Sequence, residues 1–218
     1  MIVIDPAHGG TDNGAQGPSG SVEKDLVLRL ARQIRSEFER QGFRVVMTRN
    51  DDSNPSYEDR AAVANAYRDS IFISVHVSST GKVGTARTYS YQFPNPATTL
   101  GDAGLSEAPK SLAIWEEAQR PYVETSHRLA SLLQVELSQR FPGSALISTP
   151  FAIRELRSVS APAIAVELSS IAVPDPNMLT AMGGPLASEL VRSVQMLRPG
   201  NTLSRSESSA KPQAAGAN

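Results

Sequence analysis

Between Ile2 and Thr48 the hydrophobic period of the chain changes twice, and that change limits what the chain can fold into. Ile2-Val3-Ile4 is a short β-branched run stopped by Asp5-Pro6, the composition of a buried strand. Residues 9–22 (GGTDNGAQGPSGSV) are turn material without a period. Val27, Leu30, Ala31, Ile34 and Phe38 then recur at i, i+3, i+4, i+7 and i+11, which is one face of a helix, and Gly42 ends it. Phe43 to Thr48 (FRVVMT) reads as a strand again. Strand, helix and strand at this spacing form a βαβ unit, which favours a parallel pair joined by a right-handed crossover.

The rest of the chain continues the alternation. Tyr57 to Arg68 is an Ala-rich helix, and Ile71 to Val75 is a third strand that ends on His76. Thr85 to Gln92 alternates as a strand with one exposed face does. Phe93 to Glu107 has no period, and Ser111 to Arg120 is a short helix carrying the only tryptophan, Trp115. Tyr122 to Arg140 is a helix with Leu129, Leu132, Leu133 and Leu137 on its apolar stripe. Pro162 to Leu168 is a buried strand with Glu167 near its end. Asp175 to Leu197 reads as a last helix, although Gly183-Gly184-Pro185 falls inside it. The pattern predicts a single α/β domain over residues 1–198, a sandwich whose largely parallel, twisted sheet is flanked by helices. Residues 199–218 are low-complexity and are expected to be a disordered tail.

Composition removes several function classes. With a net charge of −1 there is no global basic field for nucleic acid or an anionic membrane. No apolar run approaches membrane-spanning length. The chain has no cysteine, so disulfides, thiolate metal sites and a cysteine nucleophile are excluded together. A metal would have to be held by His8, His76, His127 and carboxylates. The first strand begins at Ile2 with no secretory signal before it, which reads as a domain cut from a longer precursor.

In open, mostly parallel sheets the chemistry gathers at the carboxyl ends of strands. His8, His76 and Glu167 each follow or end a strand, and Glu23 enters the same edge from the loop before the first helix. Two histidines and a glutamate with a fourth position open to water make a catalytic zinc site, and a spare carboxylate beside it can serve as general base. His8, Glu23 and His76 are the candidate ligands and Glu167 the candidate base. Each residue also has a plainer reading. Glu23 could be a first-turn carboxylate favoured by the helix dipole, and His76 could cap a strand. His127, off the leucine stripe of its helix, reads as a solvated side chain. Asp5 reads as an organiser of the His8 loop in preference to a supporting partner of a ligand.

Several motifs resemble one family, in order along the chain. I-D-P-A-H-G-G-x-D-x-G-A-x-G, V-E-K-D-L, V-V-M-T-R-x-x-D, D-R-A-A-V-A-N-A, F-I-S-V-H and P-A-I-A-V-E-L resemble the zinc-dependent N-acetylmuramoyl-L-alanine amidases of bacterial cell-wall turnover. The resemblance covers about residues 2–92 and, more loosely, 123–197. It implies one Zn2+ held by His8, Glu23 and His76, with Glu167 as the catalytic glutamate. The implied reaction is hydrolysis of the amide between N-acetylmuramic acid and L-alanine of peptidoglycan, in the periplasm or outside the cell. The chain departs from the family pattern at Ala7, at Val77-Ser78 and at Leu168-Ser169-Ser170, positions at the rim of the site and behind it.

Residues 93–122 read as an insertion relative to the shortest members of that family. Trp115 is expected to pack its helix on the sheet edge. In the alternative, Glu116 or Glu117 covers the open metal position until an activator protein withdraws the helix. Arg154 is a further candidate for the substrate rim. Two rival functions remain at this stage: a zinc exopeptidase or deacylase acting on a related amide, and a non-enzymatic peptidoglycan-binding module.

Overall fold

The β-branched run that opens the chain becomes one of three inner parallel strands around which the site is built. A computed structural model describes residues 1–94 and 117–197, and all statements below concern those residues. Its strands are β1 (Ile2–Pro6), β2 (Val45–Met47), β3 (Ile71–Val77), β4 (Thr85–Tyr91), β5 (Thr149–Phe151) and β6 (Ala163–Ser169). The helices are α1 (Glu23–Arg40), α2 (Tyr57–Asn65), α3 (Val123–Arg140), α4 (Arg154–Arg157), α5 (Asn177–Ala181) and α6 (Gly183–Leu197).

The six strands form one sheet in the order β2-β1-β3-β6-β4-β5. β2, β1, β3 and β6 run parallel, β4 runs antiparallel to β6, and β5 is parallel to β4. The chain leaves β1 toward β2 on one side and returns to β3 on the other. The strand order therefore reverses at β1 and β3, and the crevice at the carboxyl ends of such strands is where open α/β sheets bind ligands.

Strand alternation divides the core in two. Ile2, Ile4, Ile73, Val75, Ile164 and Val166 face a large core shared with Val27, Leu30, Ala31, Ile34 and Phe38 of α1 and with Leu129, Leu133 and Leu137 of α3. The α1 stripe is the expected one in every position. On α3, Leu132 is only half-buried. Val3, Phe72, Ala163 and Ala165 face a smaller core with Ala61 and Ala64 of α2 and Leu156 of α4. Asp5, Ser74, His76 and Glu167 share this second face by the same alternation.

Three expectations shift. β3 continues through His76 to Val77, so the histidine lies inside the ladder. The last helix is two, α5 and α6, separated at Met182. Gly183-Gly184-Pro185 opens α6, where a proline in the first turn costs no hydrogen bond. A side chain at Gly183 would strike Gln33 of α1, so the glycine permits the close packing of α6 on α1. β5 and α4 carry no sequence period and were not expected. Most of the 93–122 insertion, including Trp115 and Glu116, and the 199–218 tail lie outside the described residues. Where the expected Ser111–Arg120 helix enters the described part, residues 117–119 form a turn that leads into a 3-10 turn at Arg120–Tyr122. No described helix is long and apolar enough to cross a membrane.

Candidate metal centre and cleft

The backbone after β1 is built to present one histidine. His8 adopts a φ of 62°, unusual for a residue with a side chain, and Gly9 and Gly10 follow at 135° and 55°. A Cβ at Gly9 would collide with the Ser53 carbonyl, so glycine is required there. Ala7 is not among the residues with positive φ, which makes its replacement of glycine mild.

Two buried arginines hold this turn. Arg49 donates to the carbonyls of Pro6 (2.8 Å), Ala7 (2.8 Å) and Lys24 (2.9 Å). Arg60 donates to the carbonyls of Pro6 (2.9 Å) and His8 (2.9 Å). The Asp5 carboxylate accepts from Arg60 Nη1 (2.6 Å), Thr48 Oγ1 (2.5 Å) and Ser74 Oγ (2.9 Å). Asp5 thus organises the His8 loop, and it does so through Arg60. Lys24 closes the far side by donating to Gly10 O (2.6 Å) and Asp52 (2.9 Å).

Glu23 opens α1 and is 4% exposed. It accepts from the backbone N–H of Ala15 at Oε2 (2.8 Å) and of Val77 at Oε1 (2.9 Å). His8 Nε2 lies 3.2 Å from Glu23 Oε2, and His76 Nδ1 lies 3.1 Å from Glu23 Oε1. The two imidazole rings stand edge to face with centroids 5.5 Å apart. Ligand atoms of His8, Glu23 and His76 all lie within 4.8 Å of one another, and among the described residues these three form such a group. Two imidazoles and a carboxylate converging from a loop, a helix start and a strand suit a single divalent cation, and zinc matches that donor set.

The electrostatics agree with a cation there. Burial acts to raise the Glu23 carboxyl, yet hydrogen bonds from His76 and His8 outweigh it and hold the carboxyl far below the usual range. Burial acts to lower His76, while Glu155 and Glu23 together hold it up at about 10. His8 is raised, first by its hydrogen bond to Glu23, against the opposing effect of burial. Both imidazoles therefore sit in a negative field.

Gly14, at φ 62°, lies against Glu23 and His8: a Cβ there would stand 2.6 Å from Glu23 Oε2 and from His8 Cδ2. Gly14→Ala is expected to lower folding stability by about 1–3 kcal/mol, the usual cost of a strained backbone position. Urea unfolding measures this, and an unchanged midpoint would contradict the packing described.

Glu167 is paired in register with His76 across β3 and β6, so the two side chains leave the same face side by side. It is not one of the clustered ligand groups. Tyr89 Oη donates to Glu167 Oε2 (3.2 Å). Burial, then the Glu167 charge, raises the Tyr89 hydroxyl, which keeps it a donor. A cleft of about 370 Å3 is lined by His8, Asp12, Tyr57, Glu58, His76, Arg154 and Glu155, among others. A second cavity of about 280 Å3 holds Tyr89 and Glu167 and shares His76 and Glu155 with the first. His76 and Glu155 are thus the common wall between the ligand set and the candidate base.

Among the other sequence candidates, Arg154 stands at the rim, 5.0 Å over the Tyr57 ring and 3.9 Å from Glu58. Glu117 is exposed, pairs with Arg120 at 2.8 Å and does not line the cleft. Glu116 lies outside the described residues. His127 is exposed, as expected. Sequence reasoning missed Asp12, whose carboxylate meets His8 Nδ1 at 2.8 Å, and Glu155, which meets His76 Nε2 at 2.7 Å. Asp12 had a signal, being four residues from His8 in the glycine-rich motif; Glu155 had none, because its helix carries no period.

Comparison with known proteins identifies the family and the fold. The family model described as N-acetylmuramoyl-L-alanine amidase matches residues 2–181. N-acetylmuramoyl-L-alanine amidase AmiC of Neisseria meningitidis is 28% identical over 193 residues, covering 80% of this chain and 46% of the relative. The crystal structure of the amidase Ami1 from Mycobacterium smegmatis superposes with a TM-score of 0.66 at 19% identity, covering 90% of this chain and 96% of that one. The CwlD amidase of Clostridioides difficile, solved in complex with the GerS lipoprotein, superposes at 0.64 with 18% identity, covering 90% and 96%. At these identities the two structures speak for the fold. The chain spans less than half the length of the curated relatives it matches first. With the family model matching from β1 to the end of α5, the chain belongs to the N-acetylmuramoyl-L-alanine amidase family.

Proposed function

We propose that this chain is a zinc-dependent catalytic domain that hydrolyses the amide between the lactyl group of N-acetylmuramic acid and L-alanine of the peptidoglycan stem peptide. The observation that carries the reading is the adjacency of a His8, Glu23 and His76 cluster to Glu167, a carboxylate in register with one member but outside the cluster. A zinc ion held by these three residues would supply a Lewis acid for the amide carbonyl and bring a water's pKa down toward neutrality. Glu167, held at Oε2 by Tyr89, would take the proton of the attacking water and deliver it to the departing α-amine of L-alanine. Asp12 would keep the His8 ring in the orientation that points Nε2 toward Glu23. Arg154, exposed above Tyr57, is assigned to the substrate rim.

A peptidoglycan substrate implies work in the periplasm or at the cell wall. An activator protein is a further partner in this reading; Glu117, exposed and paired with Arg120, is not placed to occlude the metal position. The existence of a CwlD–GerS complex lends support to a protein partner. The test is incubation of zinc-loaded protein with purified peptidoglycan, with and without chelator, followed by mass spectrometry. Stem peptides beginning with L-alanine are expected without chelator and not with it. Release of a terminal residue from the stem peptide would instead identify an exopeptidase, and binding without any product would identify a binding module.

A further inference from the structure

We propose that Glu155 is a positioning residue for the metal centre, an anionic clamp that orients His76 by holding its Nε2–H. The inference rests on the metal reading above and adds a residue that neither the motifs nor the ligand set includes. Glu155 Oε1 lies 2.7 Å from His76 Nε2, and the Glu155 side chain is 12% exposed. The opposite ring nitrogen, Nδ1, lies 3.1 Å from Glu23 Oε1, on the side where His8 also meets Glu23. A neutral imidazole binds a metal through one nitrogen only and carries its proton on the other. With a metal bound, placing the proton on Nε2 would give it a charged acceptor and leave the Nδ1 lone pair for the cation between it and Glu23. The reverse tautomer would aim a lone pair at a carboxylate.

His8 mirrors the arrangement with its nitrogens exchanged: Nδ1 meets Asp12 at 2.8 Å and Nε2 faces Glu23 at 3.2 Å. Each imidazole thus has its own carboxylate on the side away from the cluster, the arrangement by which proteins fix the tautomer and ring angle of ligating histidines. Glu155 is outside the group whose ligand atoms lie within 4.8 Å of one another, which makes it a support and not a fourth ligand. Its aim is set by its neighbour: Leu156 is fully buried in the small core with Val3 and Phe72. Ile153 N donates to Phe151 O (2.9 Å), tying the start of α4 to β5. The unexpected edge strand and four-residue helix therefore have a purpose, to bring one carboxylate to the outer side of His76.

The test is competitive titration of zinc against a chelator for wild type, Glu155→Ala and Glu155→Gln, with the His76 Nε2–H followed by NMR in the zinc-loaded protein. Glu155→Ala is expected to weaken zinc binding about 10- to 100-fold, the usual loss when such a partner is removed. Glu155→Gln keeps an acceptor and is expected to recover part of that loss, with the Nε2–H resonance shifted from its wild-type position. Unfolding in chelator is measured alongside: Glu155→Ala is expected to lose some stability there, because Glu155 also pairs with His76 in the metal-free protein, but less than it loses in zinc affinity. Equal zinc affinity in wild type and Glu155→Ala overturns the clamp while leaving the metal centre standing. A loss of affinity matched by a loss of stability in chelator makes Glu155 a structural residue and also overturns it. A wild type that does not bind zinc removes the metal reading itself, and the clamp with it.

Discussion

Glu167→Gln is expected to leave zinc binding and stability at wild-type levels and to lower amide hydrolysis by about 100- to 10,000-fold, the range general acid–base catalysis contributes. The zinc prediction follows from the ligand set, since Glu167 is not among the groups clustered with His8 and Glu23. The stability prediction follows from its surroundings. Glu167 is half-buried beside a cavity, and a glutamine of the same shape can still accept from Tyr89. What the amide cannot do is take a proton from water and return it to the leaving amine. Rates on peptidoglycan together with zinc stoichiometry separate the possibilities. If the variant keeps more than about a tenth of the wild-type rate, well short of the loss general acid–base removal brings, the proton shuttle must be assigned elsewhere. A variant that loses zinc as well as rate would make Glu167 a ligand.

The second large effect concerns the base of the site. Arg60→Met is expected to destabilise the fold by about 3–5 kcal/mol, the cost of leaving a buried charge without its partner. Asp5 is 1% exposed and Arg60 4%, so water cannot replace the lost guanidinium. The variant strands the Asp5 carboxylate with only two hydroxyl donors, Thr48 and Ser74. It also removes a donor from the carbonyls of Pro6 and His8. Urea unfolding of Arg60→Met, Asp5→Asn and the double variant measures the coupling. The double variant should be less destabilised than the two single losses added together, because no uncompensated charge remains. A cost below about 1 kcal/mol for Arg60→Met, the range of an exposed ion pair, would show that the pair is not the support described.

Much of this was legible in the chain because hydrophobic periods are local. Val27, Leu30, Ala31, Ile34 and Phe38 face the core as their spacing requires. His8, His76 and Glu167 met because each lies at the carboxyl end of an inner strand, and parallel strands deliver such ends to one edge. A single helix over Asp175 to Leu197 fails at Gly183-Gly184-Pro185, because proline and small residues there suit the first turn of a new helix. β5 and α4 escaped notice because three- and four-residue elements are too short to display a period.

By itself the sequence determined the alternating α/β framework, the donor types available in a chain without cysteine, and the edge to which those donors travel. Tertiary structure alone decided how they are held. Arg49 and Arg60 reach His8's turn across more than forty residues, and Glu155 reaches His76 across 79. Hydrogen bonds between residues so far apart leave no mark on local composition. They exist only once the sheet has brought β1, β3 and the end of α4 within a few ångströms, where burial makes an unpartnered charge or imidazole proton costly.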